Sequence, residues 1–238
     1  MSDFLTELNP QQKQAVASPP GPILVLAGPG SGKTRVLTYR VAYLIAALEV
    51  PAYQIMAVTF TNKAAREMGN RIKDLLGERV EGLWLGTFHA ICGRILRREA
   101  AYLPVDSNFV IFDEDDQLAL IKRVIKEHRL NEKDFNPRQV LAKISNAKND
   151  LQTPEELPLE NYRDEIIQSL YRAYQAHLVT SNAMDFDDML LYTASLMRNQ
   201  PDVRQKYAGR FKHILVDEFQ DTNQAQYDLL FHLGAHHR

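Results

Sequence analysis

The sequence predicts an α/β fold: a parallel sheet whose strand–helix alternation is interrupted by an all-helical segment. Three observations predict it. Short apolar runs at residues 22–28, 55–60 and 83–89 alternate with stretches of helical periodicity, the signature of strands buried on both faces. From about Phe112 to Met197 the pattern becomes wholly helical and richly charged. A last apolar run, residues 212–217, then returns to strand.

Taken in order, PILVLAG (residues 22–28) is short, partly β-branched and bounded by Pro22 and Gly28, and reads as a buried strand. Leu37, Val41, Leu44, Ile45 and Leu48 recur at helical spacing behind the glycine-rich turn that follows. IMAVTF (residues 55–60) is the second strand, and Ala65, Met68, Ile72 and Leu75 share one face of the next helix, with Gly77 as its stop. LWLGTFH (residues 83–89) is the third strand and leads into a helix over residues 91–100. In FDEDDQLALIKRVIKEHRL (residues 112–130) the acids come first and the bases last, the order that the helix dipole favours. Leu118, Ile121, Val124, Ile125 and His128 would form its inner face, and Pro137, Pro154, Pro158 and Pro201 divide the remainder into several helices. The expected division is a core of residues 1–105 and 198–238 with a helical insertion over 106–197.

Composition sets bounds. The chain has 238 residues, 45% of them hydrophobic and 24% charged, enough for one or two domains with a sizeable core. No stretch reaches the length of a membrane span, and the beginning lacks the pattern of a signal peptide. Cys92 is the single cysteine, so an internal disulfide is excluded and a reducing cytoplasm is expected. A net charge of −2 neither suggests nor excludes nucleic acid.

Two motifs carry chemistry. Ala27, Gly28, Pro29, Gly30, Ser31, Gly32, Lys33 and Thr34 follow the first strand and open the first long helix. Backbone N–H groups of such a turn cradle phosphates, Lys33 reaches the β and γ phosphates, and the Thr34 hydroxyl binds Mg²⁺. Ala27 stands where the strict pattern has glycine, which leaves the loop chemistry intact. The second motif is ILVDEFQDTN (residues 214–223), an apolar strand that closes on adjacent carboxylates. Asp217 is the expected Mg²⁺ ligand and Glu218 the general base on the attacking water. Alone, each has a bland alternative, a glycine turn or a strand ending in solvated acids. Together they point to a nucleoside triphosphate.

Further stretches give the chain a resemblance. LNPQQKQAV (residues 8–16), TFTNKAAREM (59–68), GTFHAICGRILR (86–97), MDFDDML (184–190) and DEFQDTN (217–223) resemble, in order and spacing, the superfamily 1A DNA helicases of the UvrD/PcrA/Rep group. The resemblance runs over essentially the whole chain and implies a RecA-like core of the P-loop NTPase class with an inserted helical subdomain. It implies ATP with Mg²⁺, movement 3′ to 5′ on single-stranded DNA, and duplex junctions as partners, along with repair or replication proteins. Under it, Gln12 contacts adenine, Arg35 lies beside the base, and Gln220 links the γ-phosphate state to domain movement. Thr59, Phe60, Asn62, Thr87, Phe88 and His89 belong to its single-strand DNA motifs.

From the residues alone, Phe60 and Phe88 are equally well core side chains or stacking platforms. Two rival readings stand beside the main one: the helicase subunit of a recombination nuclease complex, and a chain that binds nucleotide or partners without turnover. In this group another strand follows DEFQDTN, lying between the phosphate-loop strand and the Asp217 strand. The sequence ends at Arg238 before reaching it. A gap between those two strands, or a rearranged sheet, is therefore expected, with weak ATP turnover and no unwinding by this polypeptide alone.

Overall fold

Asn9 opens the first helix of the computed structural model, which describes residues 3–235. Its side chain accepts from the Gln12 amide N–H while Gln12 bonds back to the Asn9 N–H, a reciprocal cap before α1 (Pro10–Val16). The phosphate-type turn follows, then α2 (Lys33–Ala46), β1 (Ile55–Thr59), α3 (Asn62–Leu76), β2 (Trp84–Thr87) and α4 (Phe88–Arg98). The helical stretch comprises β3 (Val110–Ile111), α5 (Glu114–Glu127), α6 (Pro137–Asn149), α7 (Tyr162–Thr180), β4 (Ala183–Met184) and α8 (Phe186–Asn199). The chain closes with α9 (Pro201–Arg210), β5 (His213–Val216) and α10 (Gln224–Gly234).

Two units result. The first holds the residues up to Ile91, Pro201–Thr222 and those from Leu230 onward; the second holds Cys92–Gln200 and Asn223–Leu229. In the first, β1 is the central strand of a parallel sheet ordered β2-β1-β5. Met56 is opposite Trp84 on one side and Ile214 on the other. All five residues of β1 are buried, as a strand covered on both faces requires. Trp84 anchors the sheet to α9, its ring meeting those of Phe211 at 5.0 Å and Tyr207 at 6.1 Å edge to face. Arg40 of α2 donates to the carbonyls of Val16 and Ser18 at 2.7 and 2.6 Å, which ties the end of α1 to α2.

The second unit packs α5, α6 and α7 around Ile121, Val124, Ile125, Val140, Ile144, Leu170, Tyr174 and Leu178. Asp113 and Asp116 form a reciprocal cap at the start of α5. His128, expected on the inner face of this helix, is instead exposed at its end, where its Nδ1 lies 2.9 Å from the Val124 carbonyl. The helix stops one residue earlier and rotates His128 out of the stripe.

Two strand expectations are corrected. The run 83–89 is strand only over Trp84–Thr87, because Thr87 Oγ1 accepts from the Ala90 N–H and caps α4, placing Phe88 and His89 in a helix. The segment 22–28 is not a strand. Ile23, Leu24, Val25 and Leu26 are 46%, 70%, 43% and 85% exposed. Among the described residues no strand pairs with this segment, and β5 pairs with β1 alone. β-branched residues favour a pleated surface, but a strand forms only against a neighbour that accepts its ladder bonds. With 22–28 not a strand, the two strands between which a gap was expected are not both formed among the described residues.

Candidate functional site: a phosphate loop facing two carboxylates

The loop is held open by glycine. Gly30 and Gly32 have φ of +73° and +84°, a region that other residues enter only under strain. At Gly32 a Cβ would stand 2.9 Å from the Gln12 amide nitrogen, whereas nothing lies within 4 Å of a Cβ at Gly28 or Gly30. The backbone of 28–30 is thus approachable from outside. Gly32 immediately precedes α2, so the loop N–H groups and the positive end of that helix face the same space.

That space is a cavity of about 590 Å³ lined by Gly28–Arg35, Arg71 and Glu218. Thr34 Oγ1 donates to Asp217 Oδ2 at 3.0 Å, and Lys33 Nζ is 3.1 Å from Glu218 Oε2. Asp217, at the end of β5, is 7% exposed, while Glu218 is in a left-handed conformation with φ of +49°. Such a conformation for a non-glycine residue costs on the order of 1–3 kcal/mol and turns its side chain back toward Lys33. Gln220 Nε2 donates to Glu218 Oε2 at 2.6 Å and to Asp221 at 3.3 Å. The Gln220 amide first and the Lys33 ammonium second hold the Glu218 carboxyl below the ordinary carboxylate range.

At the other rim, Gln12 Nε2 donates to the Ser31 carbonyl at 3.0 Å. Arg35 donates to the Glu7 carbonyl and to Glu7 Oε2, both at 3.1 Å, and its guanidinium lies 5.3 Å from the centre of the Tyr39 ring. Ser31 Oγ donates to Gly28 O at 2.6 Å within the turn. Ala27 and Pro29 are exposed along it. Arg71, on α3, is a lining residue that sequence reasoning missed: an exposed helix arginine carries no signal of its own.

The residues set apart for DNA gather at the ends of β1 and β2. Thr59 is buried and its hydroxyl donates to the Thr61 carbonyl at 3.1 Å; Asn62 is exposed at the start of α3. Thr61 caps that helix by accepting from Ala64 N–H. Phe60 is half-buried and meets Phe88 edge to face at 5.6 Å. Phe88 is 2% exposed, so its ring supports Phe60 from within. Thr87 is also buried, and His89 is half-exposed one residue into α4.

Among the described residues no helix is long and apolar enough to cross a membrane. The chain is 44% identical over 232 residues to the ATP-dependent DNA helicase PcrA of Staphylococcus aureus and 46% identical over 235 residues to that of Bacillus subtilis. These alignments cover 97% and 98% of this chain and 32% of each relative, so the chain spans about a third of the length of the curated relatives it matches. The model of the UvrD/REP helicase N-terminal domain matches residues 8–238. The chain belongs to the UvrD/REP helicase N-terminal domain family.

Proposed function

We propose that this chain is the nucleotide-binding part of an ATP-dependent DNA helicase that moves 3′ to 5′ on single-stranded DNA. The carrying observation is the pair of contacts Thr34–Asp217 and Lys33–Glu218, which join the loop to the strand-end acids. The donor set suits a small hard cation: a hydroxyl and a carboxylate, both oxygen, next to a backbone that receives phosphate. Thr34 and Asp217 would hold Mg²⁺, which when bound neutralises charge on the phosphate oxygens.

The residues then divide the work. Lys33 binds phosphate oxygens, and in doing so exchanges its bond to Glu218 for one to the nucleotide. Glu218, kept ionised by Gln220, accepts a proton from the attacking water and orients it. Gln12 keeps one amide N–H and one lone pair outside its bonds to Ser31 and Asn9, a donor and an acceptor that match an adenine edge. Arg35 presents its guanidinium plane to the base, and Arg71 adds positive charge to the cavity wall. Phe60, backed by Phe88, offers a ring to an unstacked base, with Thr59, Asn62, Thr87 and His89 around it. The buried free Cys92 accords with a reducing cytoplasm as the compartment.

The test is nucleotide binding with and without Mg²⁺ by calorimetry. Tight Mg-ATP binding that is lost in Lys33→Ala and reduced for GTP supports the reading; Mg-independent binding of equal strength for both nucleotides overturns it.

A further inference from the structure

Glu7 immediately precedes the LNPQQKQAV stretch, and the resemblance gives it no role. Its neighbours fix its place. Leu8 is buried with Val16 and Tyr39 in a small core of their own, and the reciprocal cap between Asn9 and Gln12 opens α1 directly afterwards. Tyr39, on α2, is 6% exposed, and its hydroxyl donates to Glu7 Oε2. Burial first, and the bond to the Glu7 carboxylate next, push this phenol above its ordinary range, so it remains a donor.

The same carboxylate oxygen, and the Glu7 carbonyl, accept from Arg35 Nη2. Both bonds leave through one nitrogen; among the described residues, Nε and Nη1 of Arg35 donate to nothing. Tyr39 stands at i+4 from Arg35 on the same helix face, its ring centre 5.3 Å from the guanidinium carbon. Arg35 lines the cavity and Glu7 does not. Farther along the segment that carries Glu7, Gln12 donates to the Ser31 carbonyl, so one short stretch braces the rim at two points.

As an ion pair, Glu7 and Arg35 are weak. Their side chains are 58% and 41% exposed, and exposed pairs contribute little to stability. The effect is on order. An arginine side chain has much rotamer freedom to lose, and immobilising it when a ligand arrives lowers affinity. A guanidinium already tied to two acceptors has lost part of that freedom beforehand. With phosphates on the Gly28–Thr34 backbone, the nucleoside is left to the rim that Arg35 and Gln12 form.

We propose that Glu7 is a positioning residue for the nucleoside end of the site: together with Tyr39 it holds the Arg35 guanidinium in place, so that the base meets a cation already ordered. The proposal rests on the nucleotide reading given above and on the place that reading gives Arg35. Glu7 itself need not touch nucleotide.

The experiment is calorimetry of the full chain with Mg-ATP and, separately, with Mg-tripolyphosphate, which offers phosphates to the loop but has no nucleoside. Glu7→Ala is expected to weaken Mg-ATP binding by about three- to tenfold, the range that ordering one long side chain costs. Its Mg-tripolyphosphate affinity and thermal midpoint should stay close to wild type. Glu7→Gln keeps an acceptor for Arg35 and for Tyr39 and should restore most of the Mg-ATP affinity. In an Arg35→Ala background, Glu7→Ala should have no further effect, because the group it holds is gone. Equal losses for both ligands in Glu7→Ala, a fully additive loss in the double variant, or a Glu7→Ala affinity for Mg-ATP unchanged while Arg35→Ala weakens it, would each overturn the proposal alone. Arg35→Ala that binds Mg-ATP like wild type overturns the place given to Arg35, and the proposal with it. A wild type that binds neither ligand better than Lys33→Ala overturns the nucleotide reading as a whole.

Discussion

Thr34 and Asp217, 183 positions apart in the sequence, share a hydrogen bond of 3.0 Å that joins the start of α2 to the end of β5. An Asp217→Asn substitution preserves an acceptor oxygen for Thr34 and removes the charge. Mg²⁺-dependent nucleotide affinity should fall by at least about tenfold, or ~1.4 kcal/mol, with binding in EDTA little changed. Calorimetry in both buffers reads the difference.

Glu218 should titrate below a free glutamate. The Gln220 amide is the largest cause and Lys33 the next. A depressed folded pKa means that this carboxylate favours the folded state above the unfolded pKa. The contribution is lost as pH falls through the folded value, below the ordinary Glu range near ~4.3. In Gln220→Ala the Glu218 pKa should move upward, measured by carboxyl ¹³C shifts; an unmoved value would assign the depression elsewhere.

Removing the buried Lys148 leaves the carboxylates of Asp185 and Asp188, 2.6 and 2.8 Å from it and also buried, without their cation. Lys148→Ala should therefore cost about 3–5 kcal/mol in urea unfolding of the helical unit. Substituting a single exposed ion pair such as Arg172–Glu155, 3.1 Å apart, should cost no more than about 1 kcal/mol.

Phe60 and Phe88 should separate under truncation. Phe60→Ala should weaken single-stranded DNA binding by about 1–3 kcal/mol if the ring stacks on a base. Phe88→Ala empties a buried site and should cost about 3–5 kcal/mol of stability first. Fluorescence anisotropy at low salt and thermal unfolding, run on both variants, distinguish the two.

The loop and its opposing acids were legible because their residue types are chemically scarce in combination: Gly30, Gly32, Lys33 and Thr34 after an apolar run, Asp217 and Glu218 after another. Burial of β1 followed from an apolar run too short for a helix. β5, expected to be buried as well, is only half-buried, because among the described residues it has β1 as its sole strand neighbour. What escaped reading was non-local. The run 22–28 has the short, partly β-branched apolar pattern of a buried strand, but a ladder depends on a neighbour that no local pattern encodes. Thr87 signals a cap only if the chain turns there, so Phe88 and His89 read as strand. Arg71 looks like any solvated helix arginine. The Glu7–Arg35–Tyr39 cluster is three ordinary polar residues until folding assembles them.

The unpaired run 22–28 has a thermodynamic consequence for the loop it leads into. A ladder on the incoming side restricts the backbone of a loop; without one more arrangements are open to it, and each that separates the N–H groups lowers the fraction competent to bind phosphate. Apparent affinity then equals intrinsic affinity multiplied by the competent fraction, so a loop competent one-tenth of the time binds about tenfold more weakly. If the loop binds phosphate as proposed, its affinity would then depend partly on whether backbone pairs with Ile23–Leu26. On the nucleotide reading proposed above, a segment that paired there would act as a positive effector of nucleotide binding without touching the nucleotide, and nucleotide would strengthen that pairing by the same factor.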